Sequence, residues 1–401
     1  MEREIVITGM GAVTPVGIGV AEFWNGLLAG RCGIGPVTSF DTSALQVHAA
    51  AQVADFDAAA LLPGRLATDL DRFMQFAYVA ANEALAMSRL VPDDRCGIVM
   101  GTALAGLTCI GQTQEAASLA HKSVGPRFMT KIMGNIAAAQ FAIDHKITGP
   151  SLTVSTACSS GGDAITTAAL LLQSGAADAI VCMGGESTVN PLFFQSLGRA
   201  GALSRSGHSA PFDASRDGFV TGEGGGALIL ETRDHAEARG AEIFARLLGW
   251  GNNTDAFHVV SPHPEGAGAA ACMRLALQQA GLAPADIGYV NAHGTATIKG
   301  DLAETKAIAQ VFGSYAVPVS STKGATGHMM GAGGITECIA CIQAIRSGLL
   351  PPTLHFTAQD EASEPLAIVG PTPLRQEINA AMSNALGFGG QNSSIIVGRY
   401  A

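Results

Sequence analysis

Short apolar runs alternate with longer helical patterns along this chain, and that alternation limits the fold more than any other feature. The runs are Glu4–Thr8, Cys96–Met100, Leu152–Ser155, Ala179–Met183, Gly226–Leu230, Tyr289–Ala292, Val317–Ser320 and Ser394–Val397. The helical patterns are Ala67–Met87, Gly162–Gln173, Ala267–Ala280, Asp301–Val311 and Ile335–Arg346. Strand runs this short and this apolar belong in sheets covered by helices on both faces, so the pattern predicts an α/β chain. A faint echo accompanies it. Ser160–Gly175 and Gly333–Gly348 are both apolar helices ending in Ser-Gly, and each follows a Ser-Thr at a strand end. The echo fits a duplicated unit, and it also fits the general likeness of helices that lie on sheets. If a duplication is present, its break falls near Gly249–Asn253, giving halves 1–250 and 251–401.

Composition narrows the function. Hydrophobic residues make up 48% of the 401 residues and charged residues 14%, which suits a large buried core and an oligomer interface. The net charge is -10 and no Lys/Arg-rich run offsets it, which argues against a nucleic-acid partner. No apolar stretch is long enough to span a bilayer. The first residues read directly as a strand, without the charged and apolar regions of a secretory signal. A cytoplasmic location is therefore expected. The eight cysteines are scattered, as reduced thiols are. Cys338 and Cys341 are spaced C-x-x-C, but inside an apolar helical pattern, and read as buried thiols.

Four segments concentrate chemistry at strand ends. In Val154–Gly162 a strand gives way to a tight turn and a helix, placing Cys158 at or just before the helix N-terminus. Unpaired N–H groups and the positive end of the helix dipole there favour a thiolate, and the small neighbours leave the sulfur open. The alternative is a buried structural cysteine. Tyr289–Thr297 brings His293 to a strand end, where α/β folds put working side chains. Ser320–Gly334 offers Lys323 and His328 among Gly, Ala and Thr. Either histidine alone could be an ordinary hydrogen-bonded one; two beside a cysteine suggest a site. In Asn384–Asn392, glycines on both sides of Phe388 imply a special backbone path and a mobile ring. Other signals mislead. Gly9-Met10-Gly11 lacks the third glycine of a dinucleotide fingerprint, since Thr14 stands there. Gly222–Gly226 has no Lys-Ser/Thr after it, and His258 and His263 lack metal-site company, so no metal is expected.

Together, Thr156–Ser160 (TACSS), Pro211–Gly224 (PFDxxRDGFVxGEG), Asn291–Thr295 (NAHGT), Ser321–His328 (STKxxTGH) and Gly387–Gly390 (GFGG) resemble the elongating β-ketoacyl-acyl-carrier-protein synthases. These are thiolase-fold condensing enzymes of type II fatty-acid and polyketide synthesis. The resemblance runs from Val6–Gly11 to the last strand. It implies an α/β, thiolase-like duplicated α-β-α-β-α layered fold and a dimer. It also implies a triad of Cys158, His293 and His328, in which Cys158 carries the acyl group as a thioester. The N–H groups of Cys158 and Phe388 would form an oxyanion hole, and Phe388 would gate the thiol. Lys323 would set the electrostatics around His328, with Glu337 and Asp301 in support. Thr295 and Thr297 match positions that touch a pantetheine arm. Leu104 and Phe128 match residues lining the acyl pocket, Phe128 from the dimer mate. The implied partner is an acyl carrier protein, acyl- and malonyl-loaded. It brings the phosphopantetheine, so no cofactor of the chain's own is expected.

The chain departs from that pattern in places. Val260 stands where the family has Thr, which shifts a hydroxyl contact to Ser261. Leu386 replaces a Phe and Gln391 a Thr around the gate. In Gly64–Asp71, where the family docks its acidic carrier on basic residues, only Arg65 is basic. Docking would fall to Lys122, Arg127, Lys131 or Arg205, a departure that points to a specialised polyketide or polyene carrier. A degradative thiolase would need a second cysteine near Gly387–Gly390, which has none. A non-catalytic chain-length-factor subunit would lack the nucleophile, and Cys158 is present. A ketosynthase working beside such a partner subunit remains a reading of the same residues.

Overall fold

A computed structural model describes residues 3–400; Met1, Glu2 and Ala401 lie outside the described residues. The first set of strands is β1 (Ile5–Thr14), β2 (Cys96–Gly101), β3 (Ser151–Val154), β4 (Ala179–Glu186) and β5 (Gly224–Thr232). With it go helices α1 (Arg72–Ser88) and α2 (Ser160–Gln173). The second set is β6 (Ala245–Thr254), β7 (Tyr289–Asn291), β8 (Pro318–Ser320), β9 (Ala380–Leu386) and β10 (Gln391–Gly398). Its helices are α3 (Ala267–Ala280), α4 (Ile298–Phe312) and α5 (Gly333–Ser347). The first set is ordered β1-β5-β4-β2-β3 and the second β6-β10-β9-β7-β8, the same order of first, fifth, fourth, second and third. Directions repeat too. The pairs β1–β5 and β5–β4 are antiparallel while β4–β2 and β2–β3 are parallel, and β6–β10, β10–β9, β9–β7 and β7–β8 follow suit. A short antiparallel join of β1 to β6, from Ile5↔Leu247 to Ile7↔Ala245, links the two sets into one sheet.

Alternation along the strands builds the layers. In β4, Ile180 and Cys182 face a central cluster, while Val181 and Met183 face an outer one. The central cluster holds α2 and α5 between the two sets of strands. One outer cluster packs α1 on the first set, and the other packs α3 and α4 on the second. The result is the layered α-β-α-β-α arrangement, with sheets buried on both faces as the apolar runs demand. Cys338 and Cys341 are buried in α5. The 250/251 division falls inside β6, which belongs whole to the second set.

Gly9 and Gly11 serve packing. A Cβ at Gly9 would sit 2.1 Å from the Ala84 carbonyl oxygen of α1, and one at Gly11 would sit 1.9 Å from that of Ala80. The second set repeats the device. Cβ atoms at Gly249 and Gly251 would sit 2.5 and 2.1 Å from the Ala276 and Cys272 oxygens of α3. Each outer helix thus lies directly on the backbone of the first strand of its set. Gly11→Ala is expected to lower stability by about 1–3 kcal/mol or more, as overpacking of a tight interior does. Denaturant unfolding would measure it, and an unchanged midpoint would contradict this account of the glycines.

Candidate active site

Every segment that carries chemistry leaves the carboxyl end of a parallel strand, the ordinary location for sites in such sheets. After β3 the chain turns sharply at Ala157, whose φ of 52° is left-handed, and enters α2 two residues beyond Cys158. After β7 come His293, Thr295 and Thr297; after β8 come Lys323 and His328. After β9, Phe388 lies on a turn whose Gly389 and Gly390 have φ of 87° and 75°.

These loops converge. The sulfur of Cys158 and ring nitrogens of His293 and His328 all lie within 4.8 Å of one another. The two imidazoles meet edge to face, with centroids 5.2 Å apart. Nδ1 of His293 and both ring nitrogens of His328 are buried without a partner among the described residues. They are free to serve a substrate. Burial, then the nearby Lys323, pulls both imidazoles well below the ordinary histidine range, His328 adding to the effect on His293, so both are neutral near pH 7.

Cys158 is a thiol. Its helix N-terminus favours the thiolate, but burial outweighs it and pushes the group up to about 11. The N–H of Phe388, Lys323 and the residue's own N–H pull the other way. The two N–H groups expected as an oxyanion hole thus already point at the sulfur. Alkylation of Cys158 by a neutral iodoacetamide is expected to rise about tenfold per pH unit from 7 to 9, following the thiolate fraction. A rate that levels off below pH 9 would mean that the helix end, not burial, sets the thiol.

Two cavities meet at Cys158, Met330 and Phe388. One holds both histidines, Thr295 and Thr297, whose hydroxyls are 3.1 Å apart, and has Val260 and Phe388 in its wall. The other is apolar, walled by Leu104, Leu107, Leu192 and Phe193. Lys323 and Glu337 form a buried ion pair behind the histidines. Asp301, raised to about 6 by burial, accepts the Phe212 N–H at 2.7 Å and lies behind the cavity rather than in its wall.

One expected contact does not form, and one expected from a dimer mate is, as expected, not supplied by the chain itself. Ser261 is not in either cavity wall: its N–H turns to Nδ1 of His258, and Val260 takes the place on the channel. Phe128 opens the short helix Phe128–Ile132 and lines neither cavity of its own chain. Other residues had been passed over. Glu304, raised to about 7 by burial, accepts the N–H groups of His293 and Gly294 at 2.8 and 2.7 Å. Met330 touches the Cys158 sulfur at 3.8 Å, and His263, dismissed as a metal ligand, lines the channel. Glu304 had a signal: it stands one turn after Asp301 on the buried face of an amphipathic helix.

Comparison with known proteins agrees with this geometry. Residues 2–236 match the N-terminal domain of beta-ketoacyl synthases and residues 244–357 the C-terminal domain. The chain is 38% identical to a 3-oxoacyl-[acyl-carrier-protein] synthase 2 of Synechocystis, over 100% of this chain and 99% of that protein. Its fold superposes on the ishigamide ketosynthase/chain length factor with a TM-score of 0.94, at 32% identity, over 100% of both chains. It superposes with a TM-score of 0.90, at 28% identity and full coverage of both, on a chain from the complex of a type II polyketide acyl-carrier protein with its ketosynthase. A chain matched along both domains, with a cysteine and two histidines around one void, belongs to the beta-ketoacyl synthase family.

Proposed function

We propose that this chain is a 3-oxoacyl-acyl-carrier-protein synthase, an acyltransferase that extends a carrier-bound acyl chain by decarboxylative Claisen condensation. The observation that carries this reading is the single void shared by Cys158, His293 and His328, with the cavity of Thr295 and Thr297 on one side and an apolar pocket on the other. The Cys158 sulfur attacks the thioester of an acyl-carrier. A sulfur–carbon bond forms, the carrier's sulfur leaves, and the cysteine's proton ends on that departing thiol. The N–H groups of Cys158 and Phe388 hold the oxygen while it carries negative charge.

Malonyl-carrier then enters along Thr295 and Thr297. The bond to its carboxylate breaks, the electron pair moves into the thioester as an enolate, and CO₂ departs. Neutral His293 and His328 donate hydrogen bonds to that oxygen as its charge grows. The carbanion attacks the acyl carbon, the carbon–sulfur bond to Cys158 breaks, and the released thiolate takes a proton from water. CO₂ loss drives the step, so the reading calls for no cofactor beyond the carrier's arm. A Cys-His-His set could also hold a metal ion; on this reading chelators leave turnover unchanged.

We assign the partner as an acyl carrier protein and the location as cytoplasmic; no helix among the described residues is long and apolar enough to cross a membrane. We place the boundary of the duplicated halves at the start of β6, at Ala245. Exposed Ile110, Met129 and Ile143 on helices, Met133 just past the end of one, and Leu152 on the edge strand β3 itself suit a second subunit, which would supply Phe128 to the acyl pocket. That subunit is a second copy, or a related chain of the chain-length-factor kind, which the likeness to a ketosynthase/chain length factor favours. Of the basic residues named for carrier docking, Arg127 is paired with Asp69, which supports a specialised carrier. Mass spectrometry after mixing with acyl-carriers of graded length tests the reading. An acyl adduct on Cys158 is expected, and its absence at every length would refute it.

A further inference from the structure

Glu186 ends β4 as a fully buried carboxyl with no cationic partner among the described residues. It is held by backbone instead. The Ala103 N–H donates to one oxygen at 2.6 Å, the Leu104 N–H to the other at 3.2 Å, and the Gly331 N–H donates at 3.2 Å. The loop of Ala103 and Leu104 follows β2 and forms one wall of the apolar pocket. Gly331 follows Met330, which forms another wall and touches the Cys158 sulfur. Both loops carry strain. Ala105 and Met330 have φ of 48° and 44°, left-handed values that side chains avoid unless surrounding contacts impose them. Gly331 has no room for a side chain, because a Cβ there would sit 2.6 Å from the Ala103 nitrogen and 2.9 Å from a Glu186 oxygen. The strand bearing Glu186 leads on to Leu192 and Phe193, the far wall of the same pocket. One carboxylate therefore joins two of the segments that enclose the space beyond the thiol, and the strand that bears it leads into a third.

We infer that Glu186 is a positioning residue for acyl transfer: by tying the Ala103–Leu104 loop and the Met330–Gly331 turn to the end of β4, it fixes the pocket behind Cys158 and so the length of acyl chain accepted. The inference rests on the reading that this pocket receives the acyl group. It differs from a general structural role because the histidine side of the site is held by other groups, Glu304 and the Lys323–Glu337 pair. Replacing the carboxylate with an amide leaves one good acceptor and aims an NH₂ group at a backbone N–H. The pocket walls should loosen while the histidines stay in place.

The test uses the full-length protein and reads the two half-reactions separately. For Glu186→Gln, acylation of Cys158 from the longest acyl-carrier that wild type accepts is expected to fall by about 30-fold or more, with a flatter length preference. Malonyl-carrier decarboxylation should stay within about threefold. Glu186→Asp, which keeps the charge, should recover part of the length preference. If Glu186→Gln does not fold, wild type at pH 6 and pH 8 carries the same test. Burial raises Glu186 to about 7, so the preference for the long over a short acyl chain should weaken at pH 6, a ratio in which the common pH dependence of the Cys158 thiol cancels. The titratable group facing it from the turn before α2 is Cys158, a thiol throughout that range; the Ala103–Leu104 loop and the Met330–Gly331 turn present none. Glu304 and Asp301 titrate nearby but lie on the histidine side, so their effect should read out in decarboxylation. Equal loss of both half-reactions, or an unchanged length profile, overturns the inference. Failure of wild type to acylate Cys158 at any length would instead overturn the reading of the pocket.

Discussion

Cys158→Ala is expected to abolish condensation, with a loss of about 10,000-fold or more, the scale seen when a nucleophile acting within a catalytic set is removed. The sulfur is the one nucleophile where the two cavities meet, and alanine cannot form the thioester on which the second half of the reaction depends. The acyl adduct should vanish from the mass spectrum. Malonyl-carrier decarboxylation should persist, because His293 and His328 remain in place. Condensation retained at even a hundredth of the wild-type rate would mean that carbon–carbon bond formation here does not pass through this thiol.

His293→Ala and His328→Ala should separate the steps in the opposite sense. Each removes one donor from the oxygen on which enolate charge develops, a loss that costs about 100- to 1000-fold. Decarboxylation should fall by that much, while acyl transfer to Cys158 changes by less than about tenfold. The motivation is geometric: ring nitrogens without partners, buried and aimed into the void, on rings that are neutral. Equal loss of both half-reactions in either variant would remove the assignment of the histidines to the decarboxylation step.

The site was more legible than its supports. Cys158, His293, Lys323, His328 and Phe388 each stand in a run of small residues at a strand end, and small residues there mark close approach and exposed function. Glu304 showed only as a second acid one turn after Asp301, and Glu186 was not seen because a carboxyl that accepts backbone N–H groups from distant loops leaves no trace in its own neighbourhood. β1 was read only to Thr8, since Gly9 and Gly11 look like a turn until the Ala80 and Ala84 carbonyls of α1 are seen against them. The strands β6 and β9 escaped for the same reason. Their Gly, Ala and Asn residues lack β propensity, and packing from both faces decides their conformation. The dipole argument for a thiolate at Cys158 is local and takes no account of burial, which raises the group.

The repeated strand order has an implication for how this enzyme could be divided. The sulfur comes from the first unit, while both imidazoles and the Lys323–Glu337 pair come from the second. Two separate polypeptides, cut in the segment between β5 and β6, would each contain half of the chemistry and an uncovered inner face. Neither fragment could turn over alone, and activity would return only on co-assembly, at a rate set by how well α2 of one piece seats against α5 of the other.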